Sequence, residues 1–90
     1  MNKAVITVVG KDTVGIIARV CTYLSANNVN VLDISQTIID GFFNMMMIVD
    51  YGNCSKEFSR IAGEMEQLGA EIGVDIRCQR EEIFTKMHRV

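Results

Sequence analysis

Gly10-Lys11-Asp12-Thr13-Val14-Gly15 is the stretch of this chain best equipped for chemistry. A β-branched run, Ala4 to Val9, leads into it and a helical pattern leaves it. Backbone amides at such a junction, with a helix dipole behind them, can receive a carboxylate. Gly15 in the first helical turn costs about 1 kcal/mol relative to alanine. That cost makes sense where a ligand or another backbone must come close. An ordinary capped turn with tight helix–strand packing accounts for the same residues, so both readings stand at this point.

Elsewhere the reactive residue types are scattered. Gly10-x4-Gly15 lacks the Gly-Lys-Ser/Thr that makes a phosphate loop. The one histidine, His88, has no nucleophile placed beside it by a known motif. Glu81 and Glu82 are neighbours that point in different directions on a helix and read as a solvated face. Cys21, Cys54 and Cys78 are odd in number and form no C-x-x-C pair. They read as reduced, buried thiols rather than a zinc site with His88. No catalytic residue, metal site or cofactor is expected.

The elements that must hold this loop follow from periodicity. Ala4–Val9 reads as a strand closed by Gly10. Ile17, Val20, Cys21 and Leu24 share one helical face, with Asp12 as the expected N-cap and Asn27-Asn28 as the stop. Val29–Ile39 reads as a strand whose apolar parity changes, which a bulge near Leu32-Asp33 reconciles. Asp40-Gly41 is a type I′ hairpin signal leading into Phe42–Tyr51. A second helix is expected from a Ser55 cap to Gly69, with Phe58, Ile61, Ala62, Met65 and Leu68 inward. Ile72, Val74, Ile76 and Cys78 alternate as a last strand. A short helix is expected over Arg80–Val90, with Ile83, Phe84 and Met87 on one side and a Glu82–Lys86 pair.

Strand, helix, strand, strand, helix, strand is the order of an α+β, ferredoxin-like βαββαβ sandwich. A four-stranded antiparallel sheet carries two helices on one face, plus the short carboxy-terminal helix. At 90 residues this is one domain. The composition is 49% hydrophobic with a formal net charge of −2, which excludes a disordered chain. No run approaches the roughly 18 apolar residues of a membrane span. A pI of about 5.2 argues against nucleic acid as a partner. The weakly basic set Arg77, Arg80, Lys86, His88 and Arg89 is offset by Glu81 and Glu82. Without a signal-peptide pattern and with odd cysteines, a cytoplasmic location is expected.

Phe42–Val49 is apolar on both parities: Phe43, Met45, Met47 and Val49 on one face, Phe42, Met46 and Ile48 on the other. Helices cover one face of the sheet. The expected cover for the other is a second copy, with Phe43, Met45, Met47 and Val49 as the interface face and a homodimer or higher homo-oligomer as the working unit. The terminal helix folding back across the open face is the competing arrangement.

V-V-G-K-D-T-V-G-I-I-A-R-V, then N-V-N-V-L-D-I-S-Q, resembles the ACT domain, a ferredoxin-like regulatory module that binds amino acids. The resemblance spans Ala4 to about Gln79, giving an ACT domain over 1–79 and a helical extension over 80–90. The tail I-F-T-K-M-H-R suggests the small stand-alone bacterial and archaeal ACT proteins. The first half is also similar to the ACT halves of glycine-cleavage-system repressors. The resemblance implies a small-molecule ligand, an amino acid, held at a subunit interface between the first loop and the start of the second strand. On this chain that set is Gly10, Asp12, Thr13, Val14, Gly15, Asn30 and Val31. It further implies a non-catalytic module whose output passes through assembly or an unidentified protein partner. The second reading keeps the fold but drops the ligand, leaving an interaction and oligomerisation module.

Overall fold

The structure, a computed structural model, describes residues 2–82. β1 (Lys3–Lys11) is followed by α1 (Ile16–Ala26), β2 (Asn30–Ile39), β3 (Phe42–Asp50), α2 (Phe58–Ile72) and β4 (Val74–Arg80). The strands form one sheet in the order β2-β3-β1-β4, every neighbouring pair antiparallel. This is the expected ferredoxin-like arrangement. The terminal helix expected over Arg80–Val90 lies, from residue 83 on, outside the described residues, and β4 itself runs through Arg80.

Two turn signals act as their chemistry requires. Asp40 and Gly41 have φ of 50° and 77°, the positive pair a type I′ hairpin needs. The change of parity in β2 is resolved by a bulge: Val31 pairs with Val49 and Asp33 with Ile48, leaving Leu32 unmatched.

Both helix starts differ from expectation. Asp12 does not cap α1. Its backbone N–H donates to the Gly41 carbonyl at 2.8 Å, which ties it to the hairpin tip four residues before the first helical residue, Ile16. Gly15 is the N-cap instead, at φ 92°, and that start turns α1 so that Ile16, Val20 and Leu24 face inward while Ile17 is left 37% exposed. In α2 the N-cap is Glu57, not Ser55. The helix passes through Gly69 and stops at Gly73, φ 80°, so Ile72 is helical. Gly69 serves packing: a Cβ there would lie 2.7 Å from the Val74 carbonyl oxygen and 2.9 Å from Ile76 Cγ1.

The core joins α1 and α2 to one parity of the sheet. Ala4, Ile6 and Val8 from β1, Phe43, Met45, Met47 and Val49 from β3, and Val74 and Ile76 from β4 meet the helical residues in one cluster. Phe43, Met45, Met47 and Val49, expected at a subunit interface, are 3%, 3%, 0% and 2% exposed and belong to this core. Alternation separates the two parities of β3 but does not say which one the helices cover. The open parity carries Phe42, Asn44, Met46 and Ile48.

One polar cluster fastens the helices to each other. Tyr23 on α1 donates its hydroxyl to Glu64 Oε1 on α2 at 2.6 Å, and Lys56 Nζ reaches the same oxygen at 2.6 Å. Arg60 Nε donates to Glu64 Oε2 at 3.2 Å. These donors hold the Glu64 carboxyl down at about 2, with the Lys56 bond the largest cause and Tyr23 next. Folding therefore favours the ionised form. That contribution is present in full above the ordinary carboxylate value of 4.5 and is lost as pH falls through about 2. Unfolding free energies measured between pH 7 and pH 2 should fall less steeply for Glu64→Gln than for the native chain. Parallel curves would show that the cluster does not persist in solution.

Gly69→Ala tests the helix–strand contact. The helix propensity gain of about 1 kcal/mol should be outweighed by overpacking of about 1–3 kcal/mol. The urea midpoint should drop; a raised midpoint would refute such close packing of α2 on β4.

Candidate functional site

The residues of the expected site fall at two separate places. Gly10 lies within β1, paired with Phe43 on one side and Val74 on the other. A Cβ on it would sit 2.8 Å from Val74 Cγ1, so its glycine identity already serves strand packing. Asp12, Thr13 and Val14 form the exposed loop beyond β1. At Gly15 the backbone, not crowding, demands glycine: φ is 92° and a Cβ would meet nothing within 4 Å. The start of α1 has no side-chain cap and no acidic residue in its first turn. Such a helix start, without a side-chain cap, is chemically suited to a carboxylate.

Asn30 and Val31 open β2 at the opposite end of the sheet. Asn30 pairs with Asp50, and Asp50 pairs with Lys3 at the beginning of β1. The loop follows the end of that same strand, so about 30 Å of extended chain separates the two groups. A single copy does not bring them together.

Asn30 and Val31 instead border a cavity of about 500 Å³ between the end of α1 and the turn after β3. Cys21, Ser25, Asn28 and Asn53 join them on its wall, over Leu24 and Val29. None of these lining side chains is charged. Amides suit a zwitterion, because the NH₂ donates to a carboxylate while the C=O accepts from an ammonium group. Cavities of roughly 300–1,000 Å³ are the usual size for small ligands. Sequence reading missed Ser25, Asn28 and Asn53. Asn28 had been given the helix stop, which it also performs at φ 58°, and Asn53 reaches the cavity only because β3 ends beside the start of β2.

The thiols add no reactive group of note. Cys21, Cys54 and Cys78 are free. Burial pushes the Cys78 thiol up to about 12, so it stays protonated at neutral pH. Among the described residues no group of three His, Cys, Asp or Glu side chains is placed to hold a metal ion, and no helix is long and apolar enough to cross a membrane.

Comparison with known proteins agrees with this architecture. A model of the ACT domain family matches residues 2–79. A UPF0237 protein of Bifidobacterium longum is 78% identical over 90 residues, covering all of both chains. An ACT domain protein from Streptococcus pneumoniae superimposes with a TM-score of 0.82 at 40% identity, covering 92% of this chain and 93% of that one. A candidate glycine cleavage system transcriptional repressor has the same fold, with a TM-score of 0.75 at 22% identity, covering 88% of this chain and 45% of that one. ACT domains are in general regulatory, non-catalytic modules that bind small ligands and form oligomers. By its fold and by a match that runs almost from end to end, this chain belongs to the ACT domain family.

Proposed function

We propose that this chain is a homodimeric, amino-acid-responsive regulatory module whose ligand site is shared between two copies. The observation that carries it is the neutral, amide-walled cavity beside Asn30, set at one end of an edge strand whose other end adjoins the glycine loop. Among the described residues β2 has a neighbour only in β3, which leaves its outer backbone groups for pairing. On its helix-side parity, Ile34 and Ile38 are 44% and 55% exposed because neither helix reaches over them. A second sheet continuing from this edge would bring its own helix layer to cover that strip.

Two β2 strands paired antiparallel about a two-fold axis lie end to end reversed, as isologous dimers require. Asn30 then faces Ile39 of the second copy. Ile39 adjoins the hairpin tip, and the tip holds the loop through the Asp12–Gly41 bond. The cavity of one copy therefore meets the free α1 amides and Asp12 of the other. An α-carboxylate suits the amides, and an α-ammonium group suits Asp12 and the Asn30 carbonyl. Ligand binding would strengthen the dimer, and the response would pass to a partner protein or to assembly.

A thermal-shift and calorimetric screen against the twenty amino acids tests the reading. A ligand at 100 times its Kd adds roughly 2.7 kcal/mol, which corresponds to a shift on the order of 10 °C for a domain of this size. Asp12→Ala and Asn30→Ala should each weaken binding at least tenfold. A purified mixed dimer of the two variants should recover one ligand per dimer, since one of its two sites is intact. No shift with any amino acid sinks the ligand claim; no recovery in the mixed dimer sinks the shared site.

A further inference from the structure

The sheet face opposite the helices is not uniform. Val5 and Val9 are the same residue type on the same parity of β1, yet Val5 is 4% exposed and Val9 45%. Val5 also stands outside the core cluster that the helices close over, so its cover lies on the reverse side. The register shows how far that cover extends. Asp33, Ile48, Val5 and Gln79 lie across the four strands at one level. Ile48 and Gln79 are half-buried there, whereas Asp33 is exposed. One level on toward the hairpin, Met46 is already 42% exposed. The cover is thus a narrow band across the sheet, beginning at β4 and fading at β2.

We infer that this band is the docking site of the chain's own carboxy-terminal segment, residues 83–90, which crosses the strands as a continuation of the helical turn at Glu81-Glu82. The point of exit selects this occupant. β4 ends at Arg80, opposite Ala4, and Gln79 is level with Val5, so the chain leaves β4 at the band itself. Ile83, Phe84, Met87 and Val90 share one face at helical spacing. A helix advances about 1.5 Å per residue, and neighbouring strands lie about 4.8 Å apart. Counted from Arg80, Phe84 comes about 6 Å out, over β1, and Met87 about 10 Å out, over β3. Val90 comes about 15 Å out, over β2. The same helix laid along β1 would run about 15 Å and reach Val9, which is exposed.

Charge agrees with this direction. Glu81 and Glu82 open the segment and Lys86, His88 and Arg89 close it, the order that a helix dipole favours. The basic end arrives over β2 at Asp33. One oxygen of that carboxylate accepts from the Ile34 N–H at 2.9 Å, which leaves the other for a cation. Arg77 lies on β4, at the far side of the sheet from that end. The docked segment closes the Val5 end of the face and leaves Val9, Met46, Phe42 and Ile39 exposed toward the hairpin.

Photocrosslinking of the full chain tests the docking, with p-benzoylphenylalanine in place of Phe84 and natural and isotopically heavy chains refolded together in equal amounts. After irradiation and trypsin, the peptide Glu81–Lys86 should be joined to the peptide Ala4–Lys11, which contains Val5. Both halves should carry the same isotope. Mixed isotopes would overturn docking within one chain and give the band to the tail of a second copy. No product with Ala4–Lys11 would overturn the docking altogether. Stability supplies an independent reading without the photoreactive group. Val5→Thr buries a hydroxyl beneath the segment and Phe84→Ser removes its anchor, so each should lower the urea midpoint. The two changes together should lower it by clearly less than the sum, whereas Val9→Thr should add to Phe84→Ser in full. Additive losses at Val5 and Phe84 would show that the two side chains do not meet and would overturn the inference.

Discussion

A four-stranded sheet with two helices on one side can cover one of its faces and neither of its edges, and this geometric limit shapes everything else in the molecule. The helices close over Met45, Met47 and Ile6. They reach neither Ile34 and Ile38 on the outermost strand nor Phe42 and Met46 on the reverse face. Burying a large apolar side chain stabilises by about 1.5–3 kcal/mol, so these residues represent stabilisation that the two helices do not supply. Among the described residues three features thus come from one cause: a free strand edge, an exposed strip beside it and exposed apolar side chains toward the hairpin end of the reverse face.

Periodicity made most of the architecture legible. The order of elements, the bulge in β2 and the Asp40-Gly41 turn were all readable, because each depends on local chemistry or on a change of apolar parity. What it could not supply was absolute orientation. β3 is apolar on both sides, so nothing within the strand says that Phe43 and not Phe42 meets the helices; that depends on where α1 and α2 cross. The same limit explains the helix ends. Asp12 has ideal capping chemistry, yet the bond between its backbone and Gly41 holds it outside the helix. Gly69 looks like a stop because glycine ends helices, whereas here β4 passes too close for a side chain. A glycine answers to backbone angle at Gly15 and Gly73 and to clearance at Gly10 and Gly69. Residue type alone does not distinguish the two.

The candidate site was readable in its parts and not in its place. Gly15 stood out from its place in the first loop and Asn30 from a family resemblance, but their separation became visible only when the strands were paired in register. That separation is informative in itself. A ligand that needs both groups cannot be satisfied by one copy, so its affinity must depend on association. The polar wall contributed by Ser25, Asn28 and Asn53 lay hidden for the same reason, being gathered by pairing between distant segments.

Reciprocity then gives the arrangement a regulatory consequence. If a ligand binds the dimer and not the separated copies, occupancy raises the dimer's stability by the amount that dimerisation raises ligand affinity. The two quantities are one coupling free energy measured from two sides. The core contributes little to that coupling, since its residues are buried whether or not the copies associate. The clamp of Tyr23, Lys56 and Arg60 on Glu64 is likewise contained within one copy and fixes the two helices to each other.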